Sequence, residues 1–327
     1  MRLYDESGRS SWHARRALLR AAVFDTPDGE SWARRPAVAA TVTAGLLAEV
    51  RDDAIAVDTS RGTRFFAVSP DTVAWRGTRT ASAALRPGDP VIVRHPPRGP
   101  GPADHRLAER VWAGIGRVTG TIIAADGHEF LVDAQRRETQ HVVIPPASAR
   151  QIQVRFPRLA PGYLLDVIGT RHGGRLLAMT PATAQPPYHA DHLPRPPLVR
   201  GPVVMPASGS AVWHEPDDEP LDLLGLGYPA VDPADGARTD AGGTGCVRLP
   251  YLSLGTSVRI RNECADRAAV LPVTSDGALA RQFCDRCVEC GTSPKGRLAD
   301  LTMAAFVGLG GNLEDGCFNA TLTTMAS

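Results

Sequence analysis

Short runs of alternating apolar and polar residues recur along most of this chain, and glycine and proline separate them. Ala54-Ile55-Ala56-Val57-Asp58 and Glu129-Phe130-Leu131-Val132-Asp133 both repeat with a period of two, as expected of strands with one buried face. Asp126-Gly127 before the second run reads as a hairpin turn. Runs of this length, with 32 Gly and 28 Pro to break them, predict an all-β protein.

Comparing the chain with itself reveals a repeat. One copy opens on Val42-Thr43-Ala44-Gly45-Leu46-Leu47 and the other on Val118-Thr119-Gly120-Thr121-Ile122-Ile123, an offset of 76 residues. They close on Leu85-Arg86-Pro87-Gly88-Asp89 and Leu159-Ala160-Pro161-Gly162-Tyr163, an offset of 74. In each closing turn Pro sets the entry and Gly takes a positive φ, redirecting the chain into a last strand. The pattern resembles the small oligonucleotide/oligosaccharide-binding-like β modules found in tandem on bacterial envelope proteins. It predicts two small β-barrel modules, at 41–95 and 117–180. Pro96-Pro97 and Gly99-Pro100-Gly101-Pro102 mark 96–116 as a stiff linker, and the Pro/Gly-rich stretch 181–245 reads as a second one. Within it, His189, Asp191 and His192 read as solvated rather than as a metal pair.

The strand pattern resumes after Leu249. Leu254-Gly255-Thr256 leads into the strand Ser257-Val258-Arg259-Ile260-Arg261-Asn262, and Ala268-Ala269-Val270-Leu271-Pro272-Val273-Thr274 follows. Gly296-Arg297-Leu298-Ala299-Asp300-Leu301-Thr302 precedes a short helix at 303–309 that Thr302 is placed to cap, and Gly316-Cys317-Phe318-Asn319-Ala320-Thr321 closes the series. All six cysteines, Cys246, Cys264, Cys284, Cys287, Cys290 and Cys317, fall in 246–327. An even count in so small a domain reads as a disulfide framework. The competing reading is a metal site on Cys284, Cys287 and Cys290, which are spaced by two residues each.

In combination these elements resemble the double-psi β-barrel of the rare lipoprotein A-like, barwin and expansin group, over roughly residues 246–325. With the repeat, the resemblance predicts an all-β chain of two tandem β modules followed by a C-terminal double-psi barrel with one short helix. It also implies a cell-wall polysaccharide or peptidoglycan as partner. Some relatives cleave glycan, which needs a carboxyl group to protonate the glycosidic oxygen. Asp276 and Asp300 are the candidates. Asp276 stands one position away from the catalytic acid of those relatives, and Val247-Arg248-Leu249-Pro250 lacks the His they carry there. Binding without catalysis is therefore the first expectation. Tyr251 and Phe283 are the aromatic contacts expected on its surface, and Arg259 and Arg261 the partners for stem-peptide carboxylates. A third expectation is a secreted protease inhibitor presenting the loop 281–292.

Charge adds little. The net charge of +1 and the lack of basic residues interleaved with aromatics predict no nucleic-acid partner. Lys295 is the only lysine among 36 basic residues, a bias of GC-rich coding DNA such as that of actinobacteria. No run of eighteen apolar residues predicts a transmembrane helix. No cofactor or metal is expected. At the N-terminus, Arg15-Arg16 with Leu18-Leu19 resembles a twin-arginine export motif, and Ala37-Val38-Ala39 a cleavage site. The polar segment between them lacks the apolar stretch of a signal, so 1–40 reads equally as a polar arm. An extracellular or envelope location follows from the cysteines and this incomplete signal.

Overall fold

A computed structural model describes residues 41–97, 106–134, 139–184, 189–192, 205–216, 220–235, 247, 249–277, 283 and 296–324. The export-like motif, the loop 284–292 and four cysteines (Cys246, Cys284, Cys287 and Cys290) lie outside the described residues.

In the first module β1 (Val42–Val50), β2 (Ala54–Thr59) and β3 (Gly62–Ala67) form an antiparallel meander. A short pair, β4 (Val73–Trp75) and β5 (Arg79–Thr80), follows, and β6 (Pro90–Arg94) returns beside β1. Then β7 (Arg106–Leu107) joins β3 in parallel, and β8 (Arg110–Ala113) joins β6 antiparallel. Only Ala108-Glu109 separate β7 from β8, so this one segment bonds to both ends of the β6-β1-β2-β3 sheet and curls it. The strand lies within 96–116, which the sequence marks as linker. Val111, Trp112 and Ala113 are all buried, and a strand covered on both faces carries no period-two signal.

The second module is a closed ring. It comprises β9 (Ile115–Asp126), β10 (Glu129–Asp133), β11 (Gln140–Val143), β12 (Leu164–His172) and β13 (Arg175–Pro181), in the order β9-β10-β11-β13-β12. Helix α1 (Pro146–Arg155) stands between β11 and β12. The sequence reading lacks this helix. Pro146 opens its first turn, yet only Ser148 and Ile152 are buried, too few to print a 3.6-residue pattern. The predicted turns are present, with Gly88 at φ 90°, Gly127 at 57° and Gly162 at 87°. The repeat is also present, but in a different register. Gly45 crosses the Asp58 carbonyl, and Gly120 crosses that of Asp133 in the same way. These two glycines, 75 residues apart, are the equivalent positions.

Six strands close the third ring: β14 (Ala207–His214), β15 (Leu226–Tyr228), β16 (Ser257–Asn262), β17 (Arg267–Asp276), β18 (Arg297–Thr302) and β19 (Cys317–Thr324). Their order is β14-β18-β15-β17-β16-β19. The β14/β18 and β15/β17 pairs are parallel, and the other neighbours are antiparallel. Exchanging β14 with β17, β15 with β18 and β16 with β19 returns the same ring, so the barrel is two interlocked three-strand halves. The strands at 257–262, 267–276, 297–302 and 317–324 fall where the alternation predicts them. The first two strands do not. They come from 181–245, where surrounding Pro and Gly hide Ser210-Ala211-Val212-Trp213 and the three-residue β15. Helix α2 (Met303–Gly308) follows β18 with every residue buried. Thr302 holds its N-cap position without capping it, because its hydroxyl donates to the Leu223 carbonyl at 2.6 Å.

The three units do not hang on linkers. One apolar cluster runs from the third ring into Val42, Trp75, Ile92 and Trp112 of the first module and Ile115 and Ile168 of the second. Charged seams flank it. Glu314 accepts from Arg110 and from the Trp112 indole N–H. Glu215, just after β14, accepts from the Arg117 amide at 2.6 Å and from the Arg171 guanidinium at 2.9 Å. Between the second and third rings, Asp166 is wholly buried. Its Oδ1 takes Arg117 Nε at 2.8 Å and its Oδ2 takes Arg117 Nη2 at 2.6 Å and Arg297 Nη2 at 2.7 Å. The hydroxyls of Thr119 and Thr183 complete the set at 2.8 and 2.9 Å. Burial pushes the Asp166 carboxyl up, and the two guanidiniums overcome it, holding the group at about 2.

Candidate functional site

Asp300 sits in the middle of the third barrel's chemistry. On β18 it pairs with Val212 of β14 on one side and Gly227 of β15 on the other. Two residues along the same face, His214 ends β14, and its Nδ1 lies 3.3 Å from Asp300 Oδ1 and 3.1 Å from the Asp300 carbonyl. The two side chains are 12% and 5% exposed, so they meet under cover while His214 keeps an opening. That opening is a shallow cleft lined by His214, Pro216, Pro220, Leu221, Thr302 and Met303. The cleft wall is fixed by Thr302, which binds the Leu223 carbonyl and takes the Gly225 amide at 3.3 Å.

A His beside a carboxylate in an apolar, water-poor setting can hold or pass a proton. The resemblance implies such a His just before Leu254, where this chain has none. His214 arrives instead from the first strand of the ring, in the stretch taken for linker. The signal was present in Ser210-Ala211-Val212-Trp213-His214, where Trp213 is fully buried and donates to the Leu313 carbonyl at 2.9 Å.

The second predicted acid lies on the neighbouring part of the wall. Asp276 ends β17 beside Tyr228, and it is its neighbour Ser275 that shares the Gly227 level with Asp300. Asp276 thus stands one level along the ladder from Asp300.

The four predicted contact residues are scattered. Tyr251 is 50% exposed. Its backbone is pinned on both sides. The Tyr228 hydroxyl donates to the Pro250 carbonyl at 2.8 Å, and the Leu252 amide to the Ala230 carbonyl at 3.1 Å. Burial raises the Tyr228 phenol far above its ordinary range and keeps it a donor. Arg259 and Arg261 project from β16 into solvent. Arg261 is engaged by Asp266 at 2.5 Å, while Arg259 makes no ion pair among the described residues. Phe283 is not a surface aromatic. It is fully buried, with the Arg297 guanidinium 4.3 Å above its ring.

Two of the cysteines are described: Cys264 is exposed in the β16–β17 turn, and Cys317 is buried at the start of β19. His189 packs edge-on against Tyr163 at 5.5 Å and lies over Gly162, with Asp191 3.5 Å away. No cluster of three metal-ligating side chains occurs among the described residues. None of the described helices is long and apolar enough to cross a membrane.

No family model matches the chain, and no curated protein matches it. Among solved structures, a multidomain protein with nucleic acid binding domains from Streptococcus pneumoniae is similar over 46% of this chain, at 17% identity and a TM-score of 0.17. The chain spans about half of that protein, 54% of its length. A likeness that slight carries no argument about fold or function.

Proposed function

We propose that this is a cell-envelope protein whose third barrel is a double-psi β-barrel that binds peptidoglycan or a related polysaccharide. The first two modules are then oligonucleotide/oligosaccharide-binding-like barrels that hold it. The ring that maps onto itself supports the first assignment. The order β9-β10-β11-β13-β12 with a helix before the fourth strand supports the second for residues 115–181, whereas the first module is an eight-stranded sheet without that helix.

The observation that carries the binding reading is Tyr251. An exposed aromatic face on a backbone fixed from both sides suits stacking against a sugar ring, because the segment that carries it needs no ordering on binding. In co-sedimentation with insoluble peptidoglycan, the full chain is expected to pellet. Tyr251→Ala is expected to shift at least tenfold more protein to the supernatant, equivalent to about 1.4 kcal/mol. Equal pelleting of both proteins, or of neither, removes this reading.

The His214–Asp300 contact favours a second reading, a lytic enzyme in which Asp300 is the acid and His214 positions it. Soluble muropeptide release by the full chain, lost in Asp300→Asn and changed in pH profile by His214→Gln, supports it. No release by the folded wild-type protein excludes it. The inhibitor reading falls on the loop 281–292, which lies outside the described residues apart from the buried Phe283.

A further inference from the structure

The first module ends on a strand held by very little. In the order β5-β4-β8-β6-β1-β2-β3-β7, the end strand β7 has β3 as its one neighbour among the described residues. The two meet only at Phe66↔Arg106 and Ala67↔Leu107. A second tie reaches from β7 to the residue after β6, where Arg106 Nη1 faces His95 Nε2 at 3.4 Å. His95 is 1% exposed, and both of its ring nitrogens are engaged. Nδ1 lies 2.9 Å from the Pro96 carbonyl, which only accepts, so Nδ1 carries the ring proton. Nε2 is then the acceptor, and the Thr43 hydroxyl of β1 donates to it at 3.1 Å. The Phe66 ring of β3 packs 5.3 Å from the imidazole. One neutral ring thus joins β1, β3, the end of β6 and β7.

Only the neutral ring suits this position. A second proton would sit on Nε2 and turn the acceptor that Thr43 and Arg106 face into a donor. Burial is the main force against it, and it holds the imidazole at about 4 instead of 6.5. The charged groups that face the ring among the described residues are the guanidiniums of Arg106 on β7 and Arg64 on β3, and both add to the depression. The Pro96 and Val42 carbonyls favour the cation without overcoming burial. No carboxylate among the described residues pairs with the ring. Burial comes first, so the other contacts that Arg106 makes do not decide the outcome.

We propose that His95 is an acid-sensitive latch: a second proton on its ring frees β7 from β3 and opens the first module along that edge. In the open form the ring meets water and titrates as an ordinary histidine. Its closed-state value lies below the open-state one, so the latch is at full strength above pH 6.5. It weakens as pH falls from 6.5 to about 4, by about 300-fold in the ratio of closed to open molecules, and no further below that. A two-residue strand at a sheet edge belongs to the low-stability end of a fold, where such a ratio moves population. The Asp166 carboxyl, held at about 2, stays charged through this range, so the seam between the second and third rings persists while β7 leaves. The device belongs to the first module and is independent of the glycan reading.

Amide hydrogen exchange on the full chain reads the latch, at pH 7 and pH 4.5 with protection corrected for the intrinsic rate. The reporter is 106–108, where the Ala108 amide donates to the Ala67 carbonyl at 2.9 Å. Its protection is expected to fall about fiftyfold between the two pH values, while the β9–β12 ladder of the second module holds. His95→Gln takes no proton in this range, so its protection at 106–108 is expected to be flat, even where it starts lower at pH 7. Proton NMR of the wild type supplies a second measurement. The ring signal that His95→Gln lacks is expected to titrate well below 6.5. Unchanged protection at 106–108 overturns the proposal, and so does an equal loss in His95→Gln. Loss of protection in the β9–β12 ladder at the same pH overturns it as well, because the chain then unfolds as a whole. A His95 signal that titrates at 6.5 does the same.

Discussion

Replacing Asp166 by Asn is expected to destabilise the protein by about 4 kcal/mol, because it strands two buried guanidiniums. Asp166 is the shared anion of Arg117 and Arg297, which are 1% exposed as side chains, and it is itself inaccessible. An amide keeps one acceptor oxygen, but it turns an N–H₂ toward donors and removes the charge. The cost therefore includes two uncompensated cations as well as lost hydrogen bonds. Chemical denaturation of wild type and Asp166→Asn measures it. A triple variant, Arg117→Met, Asp166→Leu and Arg297→Met, is expected to lose less than Asp166→Asn alone, since no buried charge remains. If the triple loses more, the triad itself rather than charge balance holds the seam. The pH dependence follows from the same carboxyl. Its folded value is depressed to about 2 from 3.8, so its stabilisation is complete above pH 3.8 and is lost as pH falls toward 2. Asp166→Asn should flatten that part of the acid stability profile.

Such a seam explains what the sequence could and could not disclose. Strands with one wet face were legible: β10 and β16 alternate, and β10 spans the residues that the pattern marks. Strands covered on both faces were legible in one case, β18, buried at every position, and lost in two shorter ones. Val111-Trp112-Ala113 and Leu226-Gly227-Tyr228 are buried throughout, so their only signature is a short apolar run among prolines and glycines. Losing them turned two barrel segments into linkers. His214 went with them, although it stands closest to the acid. Asp166 was legible as a residue within the strand Leu164-Leu165-Asp166-Val167-Ile168, but not as a site. Its partners lie 49 and 131 residues away, and no local spacing relates them. Asp276 and Asp300 are legible in the sequence as candidate acids beside strands, and only the ladder sets them one level apart.

The repeat offers the sharpest discrimination between pattern and packing. Aligned by sequence, the copies set Ala44 against Gly120, so Gly120→Ala would copy a residue that the other module already uses. The structure instead equates Gly120 with Gly45. A Cβ on Gly45 would stand 2.0 Å from the Asp58 carbonyl oxygen and 3.0 Å from Val57 Cγ1. On Gly120 it would stand 2.1 Å from the Asp133 oxygen and 2.9 Å from Val132 Cγ1. In both cases the obstacle is backbone held in a strand pair, which cannot swing aside as a side-chain tip can. Gly45→Ala and Gly120→Ala are therefore each expected to cost about 3 kcal/mol, the upper end of overpacking. Gly88→Ala serves as the control. Its φ is 90° but nothing stands within 4 Å of the new carbon, so only the backbone penalty of about 1–2 kcal/mol applies. Urea denaturation of the three variants decides the matter. A Gly120→Ala protein as stable as wild type would restore the sequence register and show that the two modules do not share this crossing. A loss in both glycine variants beyond that of Gly88→Ala ties the modules together at the point where each strand bends most closely over its hairpin.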